Sequence, residues 1–130
     1  MEQKLAKILI VDDDADILTI AQYSLSIIPE IVIQCVGSGE EALKKALEFH
    51  PDLILLDLMM PRMDGRSTLK AIKLIPSVAG IPIVFFTARS QPKDLEELLK
   101  LGAIDIIIKP FDPVNLPAIV KGIWDKYQSK

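Results

Sequence analysis

Histidine and cysteine are nearly absent. The 130 residues contain one of each, His50 and Cys35. A lone cysteine cannot form an internal disulfide, which points to a reducing cytoplasm as the place where the chain folds. A lone histidine excludes a multi-histidine zinc site and leaves little room for a histidine-based triad. Long apolar runs are missing too. Stretches such as Leu53-Ile54-Leu55-Leu56 and Ile81-Pro82-Ile83-Val84-Phe85-Phe86 fall far short of the roughly twenty residues of a membrane span. Met1-Glu2-Gln3-Lys4 lacks the apolar stretch of a signal peptide. There is no basic surplus: 15 Lys and Arg against 18 Asp and Glu leave a net charge of −3, which disfavours direct nucleic-acid binding by this domain.

Half of the residues are hydrophobic and the mean hydropathy is +0.33, enough for a packed core and too apolar for disorder. The length is that of one domain, taken as residues 1–130 with a core over about 7–127.

Short apolar segments alternate with longer amphipathic ones. Lys7–Val11, Ile31–Val36, Leu53–Asp57, Ile83–Thr87 and Ile104–Lys109 read as strands. The first, third and fourth are nearly continuous apolar runs, as strands buried on both faces should be. Gln34 beside Cys35 makes the second more mixed, as suits a sheet edge. Between them, Ile17, Ala21, Leu25 and Ile28 follow helical spacing up to Pro29. Ser38 and Glu41 stand in capping-box register ahead of Ala42, Leu43, Ala46 and Leu47. A third helix follows Asp64, with Leu69, Ile72 and Ile75 before Pro76 and a surface loop over 76–82. A fourth follows Ser90, carries Leu95, Leu98 and Leu99, and ends at Gly102. The last carries Leu116, Ile119, Val120, Ile123 and Tyr127, starting at Asp112-Pro113 or at Asn115, the latter avoiding Pro117 in the second turn. Five strand–helix alternations predict an α/β domain with a parallel, doubly wound sheet and right-handed crossovers.

In such sheets ligands gather at the carboxyl ends of the strands, and the polar residues fall there. The first strand runs into Asp12-Asp13-Asp14, the third ends on Asp57, the fourth on Thr87 and the fifth on Lys109. Taken singly each has an ordinary explanation: Asp13 or Asp14 as a helix cap, Thr87 or Asp57 as a turn residue, Lys109 as a solvated lysine. Taken together they place carboxylates, a hydroxyl and an amine at one end of the sheet. Clustered carboxylates repel by several kcal/mol per pair at a protein-like dielectric, so they shift their pKa values or recruit a cation. Oxygen-only donors suit a hard ion such as Mg²⁺. Asp12, Asp13 and Asp57 sum to −3 when ionised, and Mg²⁺ with Lys109 brings the site to zero. Such a site can accept a phosphoryl group, with a carboxylate as nucleophile.

The remaining candidates read as structural. His50 lies before Pro51 at a helix end. Cys35 is a small apolar filler, Trp124 and Tyr127 pack, and Met59, Met60 and Met63 belong to the loop after Asp57. Gly37 and Gly39 make no phosphate-binding signature.

Four strings then resemble one family: Ile10-Val11-Asp12-Asp13-Asp14, Leu56-Asp57-Leu58-Met59-Met60-Pro61-Arg62-Met63-Asp64-Gly65, Phe86-Thr87-Ala88-Arg89 and Lys109-Pro110-Phe111. In order, from about Lys7 to Tyr127, they resemble the receiver domain of two-component response regulators. The resemblance implies a flavodoxin-like five-stranded sheet in order 2-1-3-4-5, with helices on both faces. It implies Asp57 as acceptor of a phosphoryl group from a sensor histidine kinase or a histidine phosphotransfer protein. Mg²⁺ would be held by Asp13, Asp57 and the backbone carbonyl of Met59, with Asp12 acting largely through water. Thr87 and Lys109 would take phosphoryl oxygens, the Lys109–Pro110 bond would be cis, and Met59 and Arg89 would tune phosphoryl lifetime. The domain would be a signalling module that catalyses its own phosphorylation and dephosphorylation. It would signal to an output domain or protein through the face made by the fourth helix, fifth strand and fifth helix, also a candidate homodimer surface.

One departure matters. Ile106 stands three residues before Lys109-Pro110, where the family usually has Tyr or Phe, so the expectation is either output through a rigid shift of the fourth helix and fifth strand or weak signalling by the domain alone. Rival readings are a receiver-like docking module without phosphorylation, an Asp-nucleophile phosphatase and a flavin mononucleotide binder. The phosphatase would want an Asp where Met59 stands, and a phosphate-binding first loop would not be Asp12-Asp13-Asp14.

Overall fold

The computed structural model describes residues 3–88 and 91–129. Arg89 and Ser90, the latter expected just ahead of the fourth helix, lie outside the described residues. Chain order is β1 (Lys7–Val11), α1 (Ala15–Leu25), β2 (Val32–Val36), α2 (Gly39–Phe49), β3 (Leu53–Asp57), α3 (Gly65–Lys73), β4 (Ile83–Thr87), α4 (Pro92–Leu101), β5 (Asp105–Ile108) and α5 (Leu116–Gln128). The strands form one parallel sheet in the order β2-β1-β3-β4-β5. Both the fold class and the strand order match expectation, and mixed β2 is indeed an edge.

Alternation along each strand feeds two cores. Ile8, Ile10, Leu53, Leu55, Val84, Phe86 and Ile107 point to one face, where Ala21 and Leu25 of α1 and Leu116, Val120 and Trp124 of α5 cover them. Leu9, Val11, Ile54, Leu56, Ile83 and Phe85 point to the other, covered by Ala42 and Ala46 of α2, Leu69 and Ile72 of α3, and Leu98 of α4. A strand sandwiched in this way must be apolar along its length, and β3 and β4, buried throughout, carry a polar residue only at their last position, Asp57 and Thr87.

Local hydrogen bonds set most helix starts. Asp14 caps α1 by accepting from the N–H groups of Asp16 and Ile17, Ser38 caps α2 through the N–H of Glu41 at 3.1 Å, and Asp64 caps α3 through that of Ser67 at 2.9 Å. Gly102 ends α4 at φ 120°, a conformation that a side chain would strain. Other boundaries differ from the sequence reading. Ile28 and Ile75 fall beyond the ends of α1 and α3, in turns, and Leu47 on α2 is exposed. The loop before β4 is not wholly at the surface, since Val78 is buried in the α2–α4 core. β2 begins one residue later than expected, and β5 is shorter at both ends. Gln91 stands at the N-cap of α4. Asn115 stands at that of α5 without a side-chain cap bond; Asp112 instead accepts from the N–H of Val114 and closes the preceding turn.

The fully buried central strands make Leu55→Ala costly, by about 2–5 kcal/mol from lost transfer energy and the cavity left behind. Tyr23→Ala on α1, at a residue 84% exposed, is expected to stay within about 0.5 kcal/mol of the parent. Urea unfolding midpoints of the two variants check both values.

Candidate functional site

The sheet order reverses at β1, so the ends of β1 and β3 flank the topological switch point, where doubly wound sheets leave a crevice. Asp12 follows β1 and Asp57 ends β3. One carboxylate oxygen from each of Asp12, Asp13 and Asp57 lies within 4.8 Å of the others. Asp12 and Asp57 are 1% and 5% exposed, whereas Asp13 is exposed. The ammonium of Lys109 donates to Asp12 Oδ2 at 2.6 Å and to Asp57 Oδ1 at 3.0 Å.

Each group is fixed from behind. The backbone N–H of Asp12 donates to Val36 O at 3.1 Å, and its carboxylate accepts the N–H of Asp14 at 2.9 Å. The N–H of Lys109 donates to Thr87 O at 2.8 Å, the Lys109–Pro110 peptide is cis as expected, and Phe111 stacks on Phe86 at 5.5 Å. Thr87 is buried at the end of β4, one residue beyond Phe86, the register partner of Asp57. Met59 lies in the loop after β3 with its side chain 62% exposed. Asp12, Asp13, Asp57 and Lys109 are thus brought into one cluster, with Thr87 and Met59 on the adjoining strand end and loop.

Charge crowding shows in the titration of Asp57, whose pKa is raised from 3.8 to about 6. Burial is the main cause. The hydrogen bond from Lys109 pulls the other way, and the negative charge of Asp12 and a hydrogen bond with Asp13 add to the rise. Lys109 is held above its ordinary value: burial works against its charge, but the hydrogen bonds to Asp12 and Asp57 override that penalty. The donor set is oxygen only, which fits a hard divalent cation and not a thiolate- or imidazole-loving one.

One site residue was not singled out in the sequence beyond its place in a motif. Gly65 opens α3, and a Cβ there would lie 2.4 Å from the carbonyl oxygen of Asp57 and 2.9 Å from Leu58 Cα. Its N–H donates to Leu58 O at 2.9 Å, so the first turn of α3 rests directly on the end of β3. The available signal was a glycine directly after the Asp64 cap, where a helix former would otherwise be favoured.

The model of the response regulator receiver domain matches residues 8–121. The alkaline phosphatase synthesis transcriptional regulatory protein PhoP of Bacillus subtilis (strain 168) is 43% identical over 117 residues, which cover 90% of this chain and 48% of that protein. The probable transcriptional regulator ycf27 of Porphyridium aerugineum is 41% identical over 117 residues, covering 90% of this chain and 47% of the relative. The chain therefore spans about half the length of these curated relatives. Among solved structures, the chemotaxis response regulator CheY4 of Vibrio cholerae superposes with a TM-score of 0.84 at 29% identity, covering 92% of this chain and 99% of that one. A putative response regulator from Chloroflexus aurantiacus J-10-fl gives 0.83 at 30% identity, covering 94% and 99%.

A carboxyl whose folded pKa lies above its unfolded value stabilises the fold most when protonated. In the absence of divalent cations, stability contributed by Asp57 is therefore present below about pH 4 and lost as pH rises through about 6. Asp57→Asn removes this fall and raises the melting temperature near neutral pH by about 4–8 °C, for a gain of about 1–2 kcal/mol. Thermal melts of both proteins between pH 4 and 8 with a chelator check this. Gly65→Ala, which forces a Cβ against backbone, is expected to cost about 1–3 kcal/mol, measured by urea unfolding.

Proposed function

Because the chain belongs to the response regulator receiver family, whose function is phosphorylation on an aspartate, we propose that Asp57 is its phosphoryl acceptor. The donor is the phosphohistidine of a sensor histidine kinase or a histidine phosphotransfer protein. The observation that carries this reading is the contact of the Lys109 ammonium with both Asp12 and Asp57 inside the three-carboxylate cluster.

A carboxylate oxygen of Asp57 attacks phosphorus. The new O–P bond forms as the P–N bond breaks, and the electron pair leaves with the imidazole. Burial keeps water from the nucleophile, and Lys109 trades a carboxylate contact for one to a phosphoryl oxygen. The Thr87 hydroxyl, at the end of β4, donates to another. Asp12, Asp13, Asp57 and the backbone carbonyl of Met59 would hold Mg²⁺, which would supply neutralising charge for the phosphoryl oxygens. Asp12 would act largely through water, in keeping with a carboxylate that already accepts from Asp14 and Lys109. Met59 and Arg89 tune how long the phosphoryl group lasts. In this reading the domain, residues 1–130, catalyses its own phosphorylation and hydrolysis. It works in the cytoplasm; no helix among the described residues is long and apolar enough to cross a membrane.

Output passes through the α4–β5–α5 face to a partner or an attached domain, and Leu99, Ile108 and Ile119 supply exposed apolar surface there for pairing with a second copy. Ile106 packs partly buried against the α2–α4 core, and its N–H donates to Asp105 Oδ1 at 2.8 Å. It has neither a ring to bury nor a hydroxyl to expose, which leaves the shift of α4 and β5 as the readout.

Incubation with a small acyl phosphate, followed by intact-protein mass measurement, is expected to give one added phosphoryl group. The gain requires Mg²⁺ and is absent in Asp57→Asn. An unmodified wild-type protein would leave the docking-module reading in its place, and equal gain in Asp57→Asn would remove Asp57 as acceptor. Mg²⁺ without a phosphodonor is expected to raise the melting temperature of the wild type by mass action, with a smaller rise in Asp13→Asn.

A further inference from the structure

The first turn of α3 touches both the acceptor strand and α4. Gly65 rests on the Asp57 and Leu58 backbone, and the next residue, Arg66, reaches across to α4. Its Nε and Nη2 lie 2.8 Å and 2.7 Å from Glu97 Oε1. Glu97 adjoins Leu98, the α4 side chain fully buried in the core beneath. The pair therefore joins the helix seated on Asp57 to the helix whose shift is the readout left by Ile106.

Arg66 has mixed local effects on its own helix: after the hydrogen bond from the Ser67 backbone, its charge helps hold the Asp64 cap carboxylate below its ordinary pKa. A cation in the first turn faces the positive end of the helix dipole, where acidic residues are favoured. Hydrogen bonds of this length do not survive an ångström of displacement, so a shift of α4 relative to α3 must break or rebuild the pair.

We propose that Arg66–Glu97 is a tether that couples the position of α4 to the acceptor site and holds α4 in its resting arrangement. Arg66 is then a positioning residue, acting on Asp57 through the seat of Gly65. The inference rests on the reading of Asp57 as phosphoryl acceptor. A partly exposed pair of this kind shifts an equilibrium by about two- to fivefold.

A double-mutant cycle tests it, with beryllium fluoride as the phosphoryl probe at saturating Mg²⁺. Wild type, Arg66→Gln, Glu97→Gln and the double variant are compared by calorimetric titration and by melting of the ligand-free chain. Glu97→Gln is expected to tighten probe binding about two- to fivefold in the wild-type background, to do nothing further in the Arg66→Gln background, and to lower the melting temperature slightly. General loss of stability does not tighten binding, so a purely structural role predicts no such gain. An equal effect of Glu97→Gln in both backgrounds would mean simple through-space charge and would overturn the tether. Unchanged or weakened binding in Glu97→Gln would do the same. A wild-type chain that binds no probe overturns the acceptor reading and the tether with it, whereas normal wild-type binding without coupling overturns the tether alone.

Discussion

Three carboxylates sit at the end of the sheet, two of them buried, and one ammonium reaches both buried ones. Taking such groups out of water costs several kcal/mol per ion unless each finds partners of good geometry. Lys109 supplies that partner, and the rest of the site serves to keep it there. Its backbone is bonded to β4 at Thr87, and the residue after its proline stacks on Phe86, one position short of the strand end. The compensation is incomplete, as the raised pKa of Asp57 records. A site left short of positive charge is one in which cations and phosphoryl transfer make sense.

The apolar sheet makes this crowding tolerable. β1, β3 and β4 are covered on both faces and, past the exposed Lys7 that opens β1, carry no polar residue until they end. Their parallel register then delivers the polar residue at the carboxyl end of each to the same edge, and the reversal of strand order at β1 opens the crevice between two of those ends. Side-chain-free Gly65 brings α3 against β3 closely enough that the helix start and Asp57 share backbone contact. Rigid packing on one side and unsatisfied charge on the other place the site at the boundary where small shifts have leverage. With an aliphatic residue at 106, the α3–α4 contact through Arg66 and Glu97 is a direct physical link from that boundary to α4.

Much of the architecture was legible in the chain. Continuous apolar runs identified the central strands because burial on both faces leaves no polar alternative. Asp14, Ser38 and Asp64 announced helix starts because a cap is satisfied within three residues. The grouping of Asp12, Asp13, Asp57, Thr87 and Lys109 followed once every strand was taken as parallel, since parallel strands align their ends. Helix ends were less legible. Ile28 and Ile75 keep helical spacing but contact the core from turns, because burial rewards position and not backbone conformation. Val78 was invisible as a core residue because a loop folding inward leaves no periodic signal.

The sequence by itself determined the alternation of elements, the chemistry gathered at their ends and the family those residues resemble. All of these depend on interactions spanning a few residues or on the period of a strand or helix. Only the tertiary structure decided how deeply Asp57 is buried, which carboxylates Lys109 bridges, how closely Gly65 sits on Asp57 and that Arg66 meets Glu97. These are contacts between residues as far as 97 positions apart, and their strength depends on desolvation and distance, which exist only after the chain has closed around them.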